Sequence, residues 1–166
     1  MSENTVKTEA APFVVKQGEG DRTLSFNMLV RRVASRDETA GEFGLIEMSG
    51  VRGIAAPPHA HGTEAEAFFG LEGTVRVWVG DIEHVMHPGD FVYIPKEAPH
   101  KFEIESEHAR FLCLITPGGF EDFFDALGAR TEDAYPPNPR NFGPFPTMEE
   151  IDAVAPRFNW SLVQDF

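Results

Sequence analysis

The sequence predicts an all-β barrel or sandwich with short helices behind it. Six segments of five to seven residues between Ala67 and Ile115 read as strands, and turns rich in Gly and Pro separate most of them. Within the segments side chains alternate with a period of two, as in Val75, Val77 and Val79 against Thr74, Arg76 and Trp78. No internal repeat is present, so 166 residues encode one barrel.

Residues 1–20 read as a loose arm, with Phe13-Val14-Val15 as a possible edge strand. From Thr23, the residues Leu24, Phe26, Met28 and Val30 alternate with Ser25, Asn27 and Leu29, which predicts a strand. Gly41 to Met48 and Gly53 to Pro57 are two further strand candidates. The dense set follows: Ala67–Leu71, Thr74–Val79, Ile82–Met86, Asp90–Ile94, His100–Glu105 and Ala109–Ile115. Gly73, Gly80-Asp81, Pro88-Gly89 and the segment Pro95 to Pro99 supply turns, because Gly permits positive φ and Pro presets a bend.

The barrel is therefore assigned to residues 21–116, and residues 117–166 form an extension that packs on it. Phe120, Phe123, Phe124 and Leu127 stand at i, i+3, i+4 and i+7, the stripe of an amphipathic helix that Gly128 ends. Residues 129–146 hold five prolines and read as an irregular extended segment. Thr147 with Glu150 is a capping-box pattern that starts a short helix containing Ile151 and Val154, with Pro156 as its stop. The apolar tail from Phe158 to Phe166 is expected to pack on the barrel or on a second subunit.

Charge excludes more than it identifies. The formal net charge of −13 repels nucleic acid and anionic lipid. No apolar run reaches the roughly 18 residues that span a membrane, and Met1 to Glu9 has no apolar signal core, so a cytoplasmic protein is expected. The single cysteine, Cys113, lies in an apolar run and reads as a core residue.

The informative chemistry is in Gly53-x5-His59-x-His61-x4-Glu66-x6-Gly73. Two histidines at i and i+2 on an extended strand project from one face, so their imidazoles can converge on one ion. Glu66 follows a short loop, and His100 opens a later strand after the Pro95–Pro99 turn. Imidazole and carboxylate donors suit zinc, iron, manganese, nickel, cobalt or copper. Three neutral imidazoles and one carboxylate leave a dication net positive, and four donors leave positions open on an ion that prefers five or six. His84, His87 and His108 read as ordinary histidines outside this cluster.

This pattern resembles the first motif of the cupins at every fixed position. Gly89-x5-Pro95 and His100 match the second motif in part, with Glu97 where that motif has Gly and Ile104 where it has Asn. The resemblance implies a single cupin domain, a double-stranded β-helix or jelly-roll-like barrel. It also implies one divalent transition metal ion (nickel, iron, manganese or cobalt) on His59, His61, Glu66 and His100, and a homodimer. A narrower resemblance, to the quercetin 2,3-dioxygenases, rests on four segments: Phe68 to Trp78, Pro88 to Pro95, Pro99 to Phe102, and Thr116-Pro-Gly-Gly-Phe-Glu-Asp-Phe-Phe124. It implies an enzyme that opens a flavonol C-ring with O2 and releases CO. Glu66 would then serve as ligand and proton acceptor.

A flat aromatic substrate needs an apolar slot, and the chain has 15 Phe. Phe102, which shares a strand face with His100, is the first candidate for that slot. Phe69, Trp78, Tyr93 and Phe111, on strands near the motif, are the others. The helix Phe120–Leu127 is either a lid or fixed packing. Two other classes remain open: a cupin enzyme with a different small substrate (dioxygenase, isomerase or cyclase), and a non-enzymatic small-molecule-binding cupin.

Overall fold

A computed structural model describes residues 9–135 and 145–166. Twelve strands among these residues make two facing sheets joined only by antiparallel pairs. The larger sheet contains β1 (Arg22–Ser25), β2 (Met28–Ala34), β3 (Gly44–Val51), β5 (Ala65–Glu72), β8 (Phe91–Ile94), β10 (His108–Thr116) and β11 (Ala129–Arg130), in the order β11-β1-β2-β3-β10-β5-β8. The smaller contains β4 (Ala55–His61), β6 (Val75–Val79), β7 (Ile82–Met86), β9 (His100–Ile104) and β12 (Trp160–Leu162), in the order β12-β4-β9-β6-β7.

The period of two explains the core between the sheets. Val75 and Val77 of β6 are buried while Arg76 and Trp78 turn outward. Ala109, Phe111, Cys113 and Ile115 of β10 point inward at 0–1% exposure, against Arg110, Leu112 and Leu114 on the outer face. Gly73 is fixed by geometry. It sits at φ +71, and a Cβ there would lie 2.0 Å from the carbonyl oxygen of His108.

Several expected elements differ in the structure. The alternating run from Thr23 to Val30 is two strands, because Phe26 and Asn27 both take positive φ (52 and 61) and turn the chain between the paired Ser25 and Met28. Positive φ at both central residues is the two-residue hairpin turn that matches strand twist. The ring of Phe26 stacks on Phe123 at 5.8 Å, and this contact holds a residue that rarely takes such a backbone. Phe13 to Val15 forms no strand, and Phe13 and Val14 are exposed. The candidate at Gly53–Pro57 begins later and runs on through His61.

Behind the barrel, α1 (Glu121–Ala126) lies within the expected Phe120–Leu127 stretch and buries Phe120, Phe123 and Leu127. The capping box of Thr147 and Glu150 opens α2 (Met148–Val154). Pro156 does not end the helical path. It stands in the first turn of a 3-10 helix, Ala155–Phe158, where its missing N–H costs nothing. The tail then returns to the barrel as β12, with Trp160 opposite His61 and Leu162 opposite His59. Four of the five prolines expected in an irregular segment fall at 136–144, outside the described residues, as do residues 1–8 of the expected arm.

Candidate metal centre

His59 and His61 lie on β4, two residues apart, and both side chains are buried toward the interior. Pro57 and Pro58 lack backbone donors, and the β4–β9 ladder shifts register between Ala56 and His59 before resuming at the His59–His100 pair. His100 therefore stands directly beside His59. The turn before it is tied to β4, because Glu97 N–H donates to the His61 carbonyl at 2.9 Å. Glu66 comes from the facing sheet, on β5. Two strands of one sheet and one of the other thus bring His59, His61, Glu66 and His100 together, with one ligand atom from each lying within 4.8 Å of all the others.

The donor set fits a cation. Nδ1 of His59 lies 2.7 Å from the Pro57 carbonyl and Nδ1 of His100 lies 2.9 Å from the Ala98 carbonyl. A carbonyl only accepts, so each Nδ1 carries the proton and each Nε2 is left with a lone pair. Nε2 of His100 then stands 3.0 Å from Glu66 Oε2. Two lone-pair atoms at that distance repel unless a proton or a metal ion lies between them. Nε2 of His61 is 3.3 Å from the same oxygen but not along a hydrogen-bonding direction, which leaves both its ring nitrogens unpartnered.

Electrostatics sharpen this picture. Burial, helped by the neighbouring His100 and His61, pushes His59 down to about 3, so it is a neutral donor. For His61 burial is the largest influence and acts downward, but the charge and contact of Glu66 together with the charge of Glu64 outweigh it and the net direction is up. For Glu66 burial acts upward, but the charge of His61 and the contacts with His100 hold it well below the usual carboxylate range. The centre is thus a buried, ionised carboxylate facing three imidazoles.

His59 and Glu66 form part of the wall of a cavity of about 60 Å³. Its other walls are largely aromatic, including Phe26, Phe68, Phe102, Phe120, Phe123, Phe124 and Trp160. Of the aromatic residues expected to line a slot, Phe102 is on this wall. The other four are not. Phe69 and Tyr93 sit on the outer face of the larger sheet at 41% and 58% exposure, because each follows an inward residue, Phe68 and Val92, by one position in its strand. Trp78 is on the outer face of β6 with the Lys101 ammonium 4.7 Å from its ring centre. Phe111 points inward but is a layer deeper, packed behind Phe68 and Phe102 at ring distances of 5.2 and 5.4 Å.

Sequence reasoning missed Phe68, which shares a strand face with Glu66 and was readable by the same alternation that selects Phe102. It also missed Trp160, whose ring lies 5.5 Å from that of His59. No local signal ties a residue 101 positions downstream to that histidine. Cys113, expected in the core, is buried there and also donates to Glu66 Oε1 at 3.3 Å. Burial and the charge of Glu66 push its thiol well above the ordinary range.

Fold and motif together define the class: the chain carries a cupin domain, and residues 48–115 match the family described as Cupin domain. Among curated proteins it is similar to quercetin 2,3-dioxygenase of Bacillus subtilis, 35% identical over 119 residues, which are 72% of this chain and 35% of that protein. Quercetin 2,3-dioxygenase of Aspergillus japonicus is 31% identical over 81 residues, 46% of this chain and 23% of that protein. The chain thus spans about a third or less of the length of these relatives. An RmlC-like cupin from Shewanella frigidimarina superposes with a TM-score of 0.58 at 16% identity, over 70% of this chain and 99% of that one, which shows the shared fold. Among the described residues no helix is long and apolar enough to cross a membrane.

Proposed function

We propose that the chain is a metal-dependent dioxygenase that opens the C-ring of a flavonol such as quercetin with O2 and releases CO. The observation that carries this reading is the placement of an ionised Glu66, among three histidines, on the wall of a cavity that is otherwise almost wholly apolar and aromatic. The likeness to curated quercetin 2,3-dioxygenases over 72% of the chain supports the substrate class. His59, His61, Glu66 and His100 would hold a divalent ion (nickel, iron, manganese or cobalt), which would supply Lewis acidity and a point of orientation for the reactants. Glu66 takes the proton of the flavonol 3-hydroxyl, and Phe102 with Phe68 flanks the planar rings. The aromatic wall keeps water from the reacting carbons.

The cavity is smaller than the roughly 300 Å³ at which ligand pockets begin, so a flavonol requires it to widen. That same volume favours a second reading, a cupin dioxygenase acting on a smaller apolar substrate. Oxygen uptake and loss of flavonol absorbance, followed with headspace CO, distinguish the two. Metal-loaded protein is expected to consume quercetin and O2 together, with Glu66→Gln reduced at least about 100-fold per bound metal ion, as expected for loss of a general base. Flavonol turnover at near wild-type rate in Glu66→Gln would remove the proton-acceptor role, and no flavonol loss in any metal form would leave the smaller-substrate reading.

A homodimer is the assembly we propose. Phe69, Phe91, Tyr93 and Leu114 lie exposed on the outer face of adjacent strands β8, β5 and β10, next to the free edge of β8. In a chain of net charge −13, a second copy meets least repulsion on such an uncharged apolar face.

A further inference from the structure

Glu66 has two oxygens, and the structure gives them different neighbours. Oε2 faces His100 Nε2 at 3.0 Å and His61 Nε2 at 3.3 Å. Oε1 lies 3.3 Å from Sγ of Cys113. An ionised carboxylate only accepts, so the sulfur donates its S–H. The contact is built by sheet register. Glu66 pairs with Ile115 across β5 and β10, and Cys113 is the diagonal neighbour two residues on, on the same inward face. Cys113 is 1% exposed and Glu66 5%, so both ends of the contact are withdrawn from bulk solvent.

We propose that Cys113 is a positioning residue whose thiol holds Oε1 of Glu66, so that the carboxylate presents Oε2 alone to a metal ion shared with His59, His61 and His100. A carboxylate free to turn could offer both oxygens, and the second would fill a position that substrate needs. With Oε1 occupied, Glu66 counts as one donor and the protein as four. This inference rests on the metal-binding part of the reading above and not on its substrate.

The test uses Co²⁺ on the full chain, with affinity from calorimetric titration and coordination number from visible d–d absorption. Cys113→Val removes the donor while adding about one methyl group to a buried position, and Cys113→Ser keeps a donor. Cys113→Val is expected to weaken Co²⁺ binding roughly tenfold, in the range seen when a group supporting a metal ligand is lost, and to weaken the d–d bands as coordination number rises. Cys113→Ser should restore most of both. If Cys113→Val does not fold by thermal melting, Cys113→Ala takes its place with the same expectations. Wild-type affinity and spectrum in the donorless variant overturn the proposal, as does a Cys113→Ser protein no better than it. Absence of Co²⁺ binding in the wild type overturns this proposal and the metal centre together. Absence of flavonol turnover with the Cys113 effects intact overturns only the substrate reading.

Discussion

At the scale of single residues, Glu97 shows how the site is held. It takes φ +66, a backbone that favours glycine, while its N–H donates to the carbonyl of His61. The position where the cupin motif has Gly is thus one that demands left-handed geometry, and Glu97 meets the demand at a cost. Glu97→Gly is expected to stabilise the protein by about 0.5–1 kcal/mol, since relief of left-handed strain slightly exceeds the added entropy of the unfolded chain. Thermal or denaturant unfolding measures this, and a destabilised variant would mean that the Glu97 side chain contributes more than its backbone costs. The clustering of His59, His61, Glu66 and His100 is legible in the sequence because period-two spacing places His59 and His61 together and motif spacing adds Glu66 and His100. Phe69, Trp78 and Tyr93 were misplaced because aromatic type says nothing about strand face. Phe102, counted from His100, and Phe68, counted from Glu66, have an internal reference for phase, and the same count from Glu66 reads Phe69 as outward, whereas the strands of Trp78 and Tyr93 hold no such residue.

At the scale of elements, β12 is the piece that ties the C-terminal segment to the site. It pairs with β4 at the two metal-site histidines, and Trp160 covers His59. Trp160→Ala is expected to destabilise the fold by about 3 kcal/mol, as for other buried aromatic truncations, and to raise KM for an apolar substrate more than it lowers kcat. An unchanged KM would place Trp160 outside substrate contact. The cap of α2 is a separate, smaller term. Thr147→Ala removes the side-chain acceptor for Glu150 N–H and should cost about 1 kcal/mol in unfolding experiments, with metal affinity unchanged. The helices and most strands were readable from periodicity and caps. The hairpin at Phe26-Asn27 was not, because Phe gives no turn signal and its conformation is enforced by a ring 97 positions away, on Phe123. The return of the tail as β12 is likewise a long-range pairing that no local pattern encodes.

For the whole molecule, the acidic surface and the outer apolar face make opposite demands on association. If a second copy covers that face, Phe91→Lys and Tyr93→Lys should each shift the protein from dimer to monomer in sedimentation velocity, with the metal content of the chain unchanged. A wild-type protein that sediments as a monomer at micromolar concentration would contradict this arrangement. The four residues of the candidate metal centre all come from one chain, from both sheets.

The metal centre is tested most directly by the metal content of protein grown in media enriched in nickel, cobalt, manganese or iron. Elemental analysis of the purified wild type is set beside that of His61→Ala and Glu66→Gln, with folding of each checked by circular dichroism. Close to one ion per wild-type chain is expected in at least one medium, and a large loss of that ion in both folded variants. Wild-type protein that takes up none of these metals, or variants that retain it in full, would contradict the assignment of His59, His61, Glu66 and His100 as a metal centre and the dioxygenase reading with it.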